Sequence, residues 1–458
     1  MPRRRLTSRE PRSDARAIAH DVLVRVETTE AFADVLLADR LAGARLGPSD
    51  HALATRLVYG TLAWQGRLDH ELGALVRTPL ARLDPPVLAA LRLGLFQLRF
   101  LDRVPAYAAV DASVGLARAA GRGATGLVNA VLRRAASDGA PSLAGIADPL
   151  ERVAIECSHP RWLVERWAAE MGASELPELL AANNVRGRTA LRTNRLRANQ
   201  HALIRELEAA DVAVRPSEWT ADGIVVERGA GRLRALEAWN DGRFAFQGEA
   251  SQLVTTLLGA APGTRVFDAC AAPGGKAVQT AAAIGARGVV AALDRRPGGA
   301  TRIRGEAARL GARAVHVIVG DARRPPVRPG FDAVLVDGPC SGLGTLRRHP
   351  ELRWRRRPDD VPRLAQLQRE ILDGVAPLVR PGGVLVYVVC TLTREENEDV
   401  VEAFRAAHPR FAVEHASALS VPAEVVTPAG YVRTLPHRHG LDGFFAARLR
   451  LDSRPGVG

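Results

Sequence analysis

Between residues 246 and 451, short apolar runs alternate with helical patterns, and this alternation constrains the fold more than any other feature of the chain. The strand candidates are residues 265–268, 289–294, 315–320, 333–337, 384–390 and 445–449. Strands that alternate with helices are typical of a parallel sheet with helices on both faces. The sequence therefore predicts an α/β domain over residues 246–451, with a doubly wound, mainly parallel sheet.

The first predicted strand runs into a turn of small residues that ends at Lys276. The turn consists of Cys270, Ala271, Ala272, Pro273, Gly274 and Gly275. Because these residues offer almost no side chain, a ligand can lie against the backbone, at the edge where open α/β sheets bind cofactors. The turn is not a P-loop, whose glycine and hydroxyl positions hold Cys270 and Ala277 here, and it lacks the G-x-G-x-x-G fingerprint. We predict a cofactor site, with an ordinary tight turn as the alternative.

Lys276 is the one lysine among the 63 lysine and arginine residues of the chain. A compact, deprotonatable ammonium and a planar guanidinium are not interchangeable at a tight site. A chain that uses arginine everywhere else therefore indicates a specific need for lysine at this turn. We predict that Lys276 takes part in catalysis.

Acidic residues lie at the carboxyl ends of several predicted strands. Asp294 ends the second strand, where a carboxylate can accept hydrogen bonds from ribose hydroxyls, and Asp321, after the third strand, can reach an adenine. Asp268 and Asp337 end the first and fourth strands. Without a phosphate-binding motif, the acids and the small-residue turn favour S-adenosyl-L-methionine over ATP or NAD. Capping of the following helix is the alternative for each acid.

Two of the cysteines also lie at this edge. Cys340 and Cys390 follow the fourth and fifth strands, which are neighbours in this topology, whereas Cys157 and Cys270 are predicted to be buried apolar residues. A capping box at residues 393–396 predicts a helix start just after Cys390. Such a helix start favours the thiolate form of that cysteine.

A thiolate, a carboxyl group and a methyl donor together indicate methylation of carbon 5 of cytosine. The thiolate adds to carbon 6, and Asp337, held protonated, stabilises the charge that develops at N3. Carbon 5 then takes the methyl group, and loss of its proton and of the thiolate completes the cycle. The predicted catalytic residues are Cys390, Cys340, Asp337 and Lys276.

The rest of the chain is predicted to bind nucleic acid. Residues 1–13 read as a basic disordered arm, residues 14–140 as an all-α domain, and residues 141–245 as a linker with a small βαβ module. In this module Arg192 and Asn194 touch RNA, or else the module only packs on the rest of the chain. The formal net charge of +13 indicates a polyanionic partner, in the simplest case nucleic acid.

Composition excludes several other classes of protein. The cysteines form no C-x-x-C pair, which excludes a zinc site or a disulfide scaffold and fits reduced thiols in a cytoplasm. The arginines at residues 3–5 have no apolar stretch behind them, so no signal peptide is predicted. No apolar run reaches the roughly 20 residues of a membrane span. We expect a cytoplasmic monomer that binds RNA and holds no metal.

Motifs in both halves of the chain resemble known families. Residues 57–60, 92–98, 110–114 and 127–134 together resemble the NusB-like RNA-binding helical domain. The second resemblance is to the Sun/Fmu family of RNA (cytosine-5)-methyltransferases. It rests on Asp-Ala-Cys-Ala-Ala-Pro-Gly-Gly-Lys at 268–276, Asp-Gly-Pro-Cys-Ser-Gly at 337–342, Arg-His-Pro-Glu-Leu-Arg-Trp at 348–354 and Asp-Gly-Phe-Phe at 442–445. The NusB-like front end points to the bacterial, RsmB-like branch that acts on 16S ribosomal RNA.

The resemblance implies a Rossmann-like domain that uses S-adenosyl-L-methionine and a role for each residue of the site. Cys390 would be the nucleophile and Cys340 would assist product release. The segment 270–276, with Asp294, Asp321 and Asp337, would hold the cofactor. The chain departs from the family pattern at Val389, Gly338 and Ala277, where a threonine, an alanine and a hydroxyl residue are usual. None of these changes removes a required functional group.

An arginine cluster follows Cys340 directly. It comprises Arg347, Arg348, Arg353, Arg355, Arg356 and Arg357. Next to a catalytic cysteine, such a run is predicted to bind RNA phosphates, with Trp354 either stacking on a base or buried. A solvated surface is the alternative.

The sequence is also compatible with three other functions. A tRNA cytosine-5 methyltransferase would use the same scaffold, and a DNA cytosine methyltransferase would take its nucleophile from the Pro-Cys motif. A non-catalytic RNA-binding or antitermination factor would need only the NusB-like region. Such a binding module has no need of Cys340, Cys390, Asp337 and Lys276, whose presence favours an enzyme.

Overall fold

The structure is a computed structural model that describes residues 14–172, 174–419 and 421–453. It divides into two compact units, Met1–Arg186 with Leu346–Arg355, and Gly187–Thr345 with Arg356–Gly458. The predicted basic arm, residues 1–13, lies outside the described residues. Residues 141–245, predicted as one linker and module, are divided between the two units at Arg186.

The first unit is a bundle of helices around α5. Its helices are α1 (Ala15–Thr28), α2 (Ala33–Ala42), α3 (Pro48–Ala63), α4 (Gln65–Leu75), α5 (Pro85–Phe100), α6 (Ala106–Leu116), α7 (Arg122–Asp138), α8 (Pro149–Glu156), α9 (Arg161–Met171) and α10 (Leu176–Asn184). A proline begins α5, which suits the first turn of a helix, and the residues from Val87 to Gln97 are all buried. Helices α1, α3, α4, α6 and α7 pack against α5. The predicted helical front region is confirmed.

The second unit begins with a small antiparallel sheet. Its strands are β1 (Thr189–Thr193), β2 (Ala213–Pro216), β3 (Gly223–Arg228) and β4 (Phe244–Phe246), and its helices are α11 (Gln200–Ala209) and α12 (Glu237–Asn240). The strand order is β2-β3-β1-β4. The predicted βαβ module is correct only in part. The strands predicted at 189–193 and 223–227 are β1 and β3, which pair antiparallel, whereas β1 and β2, both antiparallel to β3, run parallel on either side of it with α11 between them in sequence. The sequence does not predict β2, because its residues are at most half-buried and show no apolar alternation.

Arg192 and Asn194, at the end of β1, are buried in this unit. Arg192 Nε donates to Gln247 Oε1 at 2.7 Å. Asn194 Nδ2 donates to the carbonyl oxygens of Gly242 and Leu310 at 2.8 and 2.7 Å. These side chains hold the small sheet to its neighbours, so the packing alternative is correct and the predicted RNA contact is wrong.

The larger sheet of the second unit carries the functional edge. Its strands are β5 (Arg265–Asp268), β6 (Val289–Asp294), β7 (Val315–Val319), β8 (Phe331–Asp337), β9 (Val379–Val389), β10 (Phe411–Val413), β11 (Val432–Thr434) and β12 (Phe444–Leu451). They lie in the order β10-β12-β9-β8-β5-β6-β7, with β11 paired to β12. The neighbouring strands β7, β6, β5, β8 and β9, in that order across the sheet, are parallel, whereas β12 is antiparallel to β9. The predicted doubly wound, mainly parallel sheet is confirmed.

Apolar layers cover both faces of this sheet. The remaining helices are α13 (Glu249–Thr256), α14 (Gly275–Ile284), α15 (Pro297–Leu310), α16 (Leu352–Arg355), α17 (Asp360–Val375), α18 (Glu398–Ala407) and α19 (Pro436–His439), of which α16 belongs to the first unit. Val266 and Phe267, adjacent on β5, lie in different apolar layers, so the strand is buried on both faces. From β5 the chain continues outwards through β6 and β7 on one side, and then returns to β8 and β9 on the other side of β5. The order of the strands therefore reverses between β5 and β8. Open sheets bind ligands at such a reversal, outside the carboxyl ends of the strands.

Candidate active site

The predicted catalytic residues lie together at the carboxyl ends of β5, β8 and β9. Lys276, in the first turn of α14, donates from Nζ to Oδ2 of Asp337, the last residue of β8, at 2.7 Å. Sγ of Cys340 lies 3.2 Å from Sγ of Cys390, which directly follows β9. Lys276 also interacts electrostatically with Cys390. The site thus places two thiols next to an ion pair.

The two thiols have different surroundings. The hydrogen bond with Cys390, burial and the charge of Glu396 raise the pKa of Cys340 well above its ordinary value. The raised pKa favours the protonated form of Cys340, in a contact between the sulfurs in which either atom can be the donor. Burial acts to lower the pKa of Lys276, but Asp337 and then Cys390 raise it, with the net result above its ordinary value. The ammonium is therefore a charged neighbour of Cys390.

The ion pair bears on one detail of the predicted chemistry. Nζ of Lys276 lies 2.7 Å from Oδ2 of Asp337, so the carboxyl group that is predicted to act at N3 has an ammonium beside it. The protonation of Asp337 that the predicted chemistry requires stays a prediction. The two side chains form one unit from which a bound base could take a proton.

The predicted capping box after Cys390 is also wrong. Thr393 Oγ1 donates to Glu396 Oε2 at 3.0 Å instead of capping a backbone N–H group. Residues Arg394–Glu396 form one 3-10 turn, and α18 begins only at Glu398. The positive partner of Cys390 is therefore the ammonium of Lys276 and not a helix terminus.

Glycines bring a third motif against the two cysteine loops. The N–H of Gly344 donates to the carbonyl of Cys390 at 3.0 Å, and the N–H of Gly443 donates to the carbonyl of Gly344 at 2.7 Å. A Cβ on Gly344 would overlap the carbonyl of Gly443, so only glycine fits there. The next residue, Phe444, presents its ring to Lys276 Nζ at 5.6 Å. Sequence reasoning missed Gly344 and Phe444 as site residues, although the motif at 442–445 contains Phe444.

The small-residue turn after β5 is held by close backbone contacts with its neighbours. Gly274 has a φ of +116°, and a Cβ there would lie 3.3 Å from the Cα of Ile303, so glycine is required. The N–H of Ala271 donates to the carbonyl of Leu293 at 2.9 Å, which ties the turn to β6. Burial raises the pKa of the Cys270 thiol, in agreement with a protonated, apolar role.

Asp268 is the least satisfied polar group of this edge. It is 1% exposed, and among the residues that the structure describes its carboxylate has no side-chain partner. The backbone N–H of Cys270 acts to lower its pKa, against the larger effect of burial. Burial, and then the charge of Asp337, raise the pKa of Asp268 to about 7. A buried carboxyl group without a side-chain partner favours a ligand that brings a positive charge to it.

Asp294 and Asp321 each hold the turn that follows their strand. Asp294 Oδ1 accepts the N–H of Arg296 at 2.9 Å, and a Cβ on Gly299 would overlap its carboxylate. Asp321 is paired with Arg323, whose side-chain hydrogen bonds lower the pKa of Asp321 to about 2. The capping alternative therefore holds in part for both acids, and their cofactor contacts stay predictions.

The arginine cluster contains both buried and exposed side chains, which the sequence does not distinguish. Arg353 is fully buried, and its guanidinium donates to the carbonyls of Ala63, Ser158 and Asn183 and to Asn184 Oδ1 at 2.7–3.2 Å, all within the first unit. Burial lowers the pKa of Arg353 to about 9. The predicted phosphate contact is wrong for Arg353.

Two other arginines of the cluster, Arg355 and Arg356, also donate hydrogen bonds within the protein. Arg355 donates to carbonyls of the first unit, among them Val26 at 2.7 Å. Arg356 donates from Nε to the carbonyl of Ser341 at 2.7 Å and so supports the Cys340 loop. Trp354 donates from Nε1 to the carbonyl of Leu62 at 3.4 Å, which fits the buried alternative. Arg357 is exposed, and Arg347 and Arg348 are half-buried.

Fold and site together define the class of protein, a Rossmann-like methyltransferase domain preceded by a helical NusB-like region. A family model of the 16S rRNA methyltransferase RsmB/F matches residues 255–450, and one of the NusB family matches residues 13–137. A model of the RsmF/B-like ferredoxin-like domain matches residues 159–231. Within the described ranges, no helix is suited to span a membrane, and no group of His, Cys, Asp and Glu could hold a metal ion.

Similar proteins cover nearly the whole chain. The probable ribosomal RNA small subunit methyltransferase B of Bacillus subtilis (strain 168) is 34% identical over 446 residues, 96% of this chain and 99% of its own length. The ribosomal RNA small subunit methyltransferase B of Pseudomonas putida is 37% identical over 406 residues, 87% of this chain and 90% of its own. The crystal structure of PH0851 has a TM-score of 0.85 at 28% identity, covering 96% of this chain and 100% of that one. This chain belongs to the ribosomal RNA small subunit methyltransferase B family of RNA methyltransferases, as the motifs predict.

Proposed function

We propose that this protein methylates carbon 5 of a cytosine in 16S ribosomal RNA, with S-adenosyl-L-methionine as methyl donor and a covalent cysteine adduct as intermediate. The observation that carries the proposal is the pair of Cys340 and Cys390, with sulfurs 3.2 Å apart, next to the Lys276–Asp337 ion pair. A reaction that makes and breaks a carbon–sulfur bond needs one attacking sulfur and gains from a second group that assists its departure. The names of both relatives refer to the small-subunit RNA, which supports the substrate.

The residues at the carboxyl end of β5 fit this cofactor. The buried carboxyl group of Asp268, which has no side-chain partner among the described residues, favours a ligand with positive charge, and the turn 270–275 beside it carries only small side chains. S-adenosyl-L-methionine carries an ammonium and a sulfonium group and, when bound, supplies an electrophilic methyl group. We assign the segment 270–276, Asp294, Asp321 and Asp337 to its binding.

The attacking step uses Cys390 and the ion pair. In this step the sulfur of Cys390, beside the charged Lys276, adds as a thiolate to carbon 6 of the target cytosine. The electron pair of the 5,6 double bond forms a 4,5 double bond, the pair of the 3,4 double bond moves onto N3, and a proton from the Lys276–Asp337 pair neutralises the charge there. Carbon 5 is then electron-rich enough to take a methyl group. The base must leave any RNA helix to reach this site.

The resolving step uses Cys340. When the proton on carbon 5 is lost to solvent, the electrons of that bond restore the 5,6 double bond and expel the sulfur of Cys390. The S–H group of Cys340, 3.2 Å from that sulfur, stabilises the departing thiolate by hydrogen bonding. N3 returns its proton to the Lys276–Asp337 pair. Cys340 is suited to this role because it keeps its proton.

Replacing Asp294 by alanine is expected to weaken binding of S-adenosyl-L-methionine at least about tenfold, because a charge-assisted hydrogen bond contributes roughly 1.5–3 kcal/mol. RNA affinity should stay near that of the wild type. Titration calorimetry with the cofactor measures the effect, and Asp359→Ala, an exposed acid at the start of α17, is the matched control. Unchanged cofactor affinity in Asp294→Ala would remove this residue from the site.

The substrate is tested by methyl transfer from labelled S-adenosyl-L-methionine to a panel of unmodified nucleic acids. The panel holds 16S ribosomal RNA, the small ribosomal subunit, tRNA and duplex DNA. We expect 5-methylcytidine in ribosomal RNA alone, mapped by bisulfite sequencing. Methylation of tRNA or DNA without ribosomal RNA would support the corresponding alternative, and no transfer to any of them would favour a binding factor.

RNA binding is assigned to the more accessible members of the arginine cluster. We propose that Arg357, in the second unit, lies near the phosphates that flank the target base, and that the half-buried Arg347 and Arg348 of the first unit also bind RNA. The net charge of +13 supports a polyanionic partner for the chain as a whole. The cytoplasm, where unmodified ribosomal RNA is available, is the compartment that this proposal requires.

A further inference from the structure

A buried polar network lies behind the two cysteine loops and is not used in the chemistry described above. Its members are Glu396, Gln368, Tyr387, Ser341 and Thr391. All five side chains are fully buried, with a relative exposure of 0%. Buried polar groups are retained where their partners are fixed, because an unpaired group is costly.

Glu396 is the centre of this network. Its Oε1 accepts the backbone N–H of Ser341 at 2.8 Å and Nε2 of Gln368 at 3.0 Å. Its Oε2 accepts the hydroxyl of Thr393 at 3.0 Å. One carboxylate from the segment after Cys390 therefore holds the backbone of the loop that carries Cys340.

Gln368, on α17, binds the same loop on the N-terminal side of Cys340. Its Nε2 also donates to the carbonyl of Pro339 at 2.9 Å, and its Oε1 accepts the hydroxyl of Tyr387 at 2.8 Å. That hydroxyl lies 2.7 Å from the carbonyl of Glu396 as well. The peptide groups on both sides of Cys340 are therefore fixed by side chains that belong to other elements.

A direct bridge joins the two cysteine loops. Ser341 follows Cys340, Thr391 follows Cys390, and the two hydroxyl oxygens are 2.8 Å apart. The bridge crosses from one loop to the other one residue beyond each thiol. It complements the contact of the sulfurs themselves, which are 3.2 Å apart.

We infer that Gln368 and Glu396, with the Ser341–Thr391 bridge, are positioning residues that hold the thiol of Cys340 against the sulfur of Cys390 for the resolving step. The inference rests on the proposed function, because it assigns these residues to one of its two steps. Of the two thiols, attack requires only that of Cys390, which directly follows β9. Release requires both sulfurs in contact, and the network fixes the loop of the second one.

Because the network is assigned to release and not to attack, its loss should have a specific phenotype. Gln368→Met keeps the volume of the side chain but removes all of its hydrogen bonds. The variant should still attack RNA and transfer the methyl group, but it should release product slowly, because misplacement by about 1 Å can cost roughly 100-fold in rate. It should therefore accumulate the denaturant-resistant protein–RNA adduct that Cys340→Ala accumulates. A defect in folding alone would give less adduct.

The experiment incubates each variant with unmodified 16S ribosomal RNA and S-adenosyl-L-methionine and follows the adduct on denaturing gels. Gln366→Met, the same change at an exposed position of α17, is the matched control and should behave as the wild type. Glu396→Gln keeps an acceptor oxygen for Ser341 and Gln368, so it should release RNA faster than Glu396→Met. Ser341→Ala, which leaves almost no cavity, provides the same test if Gln368→Met is poorly folded.

The outcomes separate this inference from the mechanism that it extends. Adduct in Gln368→Met or Ser341→Ala, with methyl groups already on the trapped RNA, supports positioning for release. If Cys340→Ala traps RNA but both network variants fold and release it at the wild-type rate, the positioning role is wrong and the mechanism stands. If Cys340→Ala traps no RNA either, the assignment of Cys340 to release is wrong, and the positioning role falls with it.

Discussion

Cys390→Ala is expected to abolish both methyl transfer and the covalent RNA adduct, whereas Cys340→Ala should accumulate the adduct. The reason is the asymmetry of the site. The charged Lys276 neighbours Cys390, while the hydrogen bond with Cys390 and burial keep the proton on Cys340. A slow band on a denaturing gel, formed with 16S ribosomal RNA and labelled S-adenosyl-L-methionine, measures the adduct.

The double variant and a distant cysteine provide the controls. The adduct of Cys340→Ala should vanish when Cys390→Ala is added, because no attacking thiol remains. Cys157→Ala, in the first unit, should leave both signals unchanged. An adduct that accumulates in Cys390→Ala and never in Cys340→Ala would reverse the two roles and bring the chemistry closer to that of the DNA enzymes.

Arg353→Met is expected to lower the free energy of unfolding by about 2–4 kcal/mol, since it leaves buried acceptors without donors. Those acceptors are the carbonyls of Ala63, Ser158 and Asn183 together with Asn184 Oδ1. Release of a buried guanidinium from its desolvation offsets part of the loss. Urea unfolding followed by circular dichroism measures the change.

The control separates a structural arginine from one that contacts RNA. Arg357→Met, at an exposed position, should change the free energy of unfolding by at most about 0.5 kcal/mol. It should reduce the salt dependence of RNA binding by up to about one phosphate contact, whereas Arg353→Met should leave that slope unchanged. A stable Arg353→Met protein with a flatter slope would restore the phosphate contact that the buried side chain contradicts.

The sequence predicts the sheet and the placement of the catalytic groups well, for a physical reason. The strands β5, β6 and β8 are buried on both faces, so their apolar runs end where the chain turns into the site, at Asp268, Asp294 and Asp337. Parallel strands then carry these residues to one edge. The adjacency of Cys340 and Cys390 follows from the neighbouring positions of β8 and β9.

Partners of polar side chains are predicted less well, because the same residue type suits several environments. Arg353 and Arg357 lie in one basic run, yet the first is buried in the helical unit and the second is exposed. Thr393 and Glu396 have the spacing of a capping box, but the carboxylate of Glu396 instead holds the loop of Cys340. Such choices depend on elements distant in sequence: the helical unit for Arg353, and α17 and the loop after β8 for Glu396.

The most direct test of the central claim is release of tritium from 16S ribosomal RNA that carries [5-³H]cytidine. Methylation at carbon 5 must expel the hydrogen of that carbon, so the wild type should release as much tritium to water as it incorporates methyl groups. Cys390→Ala should release none. Methyl incorporation without tritium release would show that another atom is methylated, and methylation by Cys390→Ala would contradict the covalent mechanism.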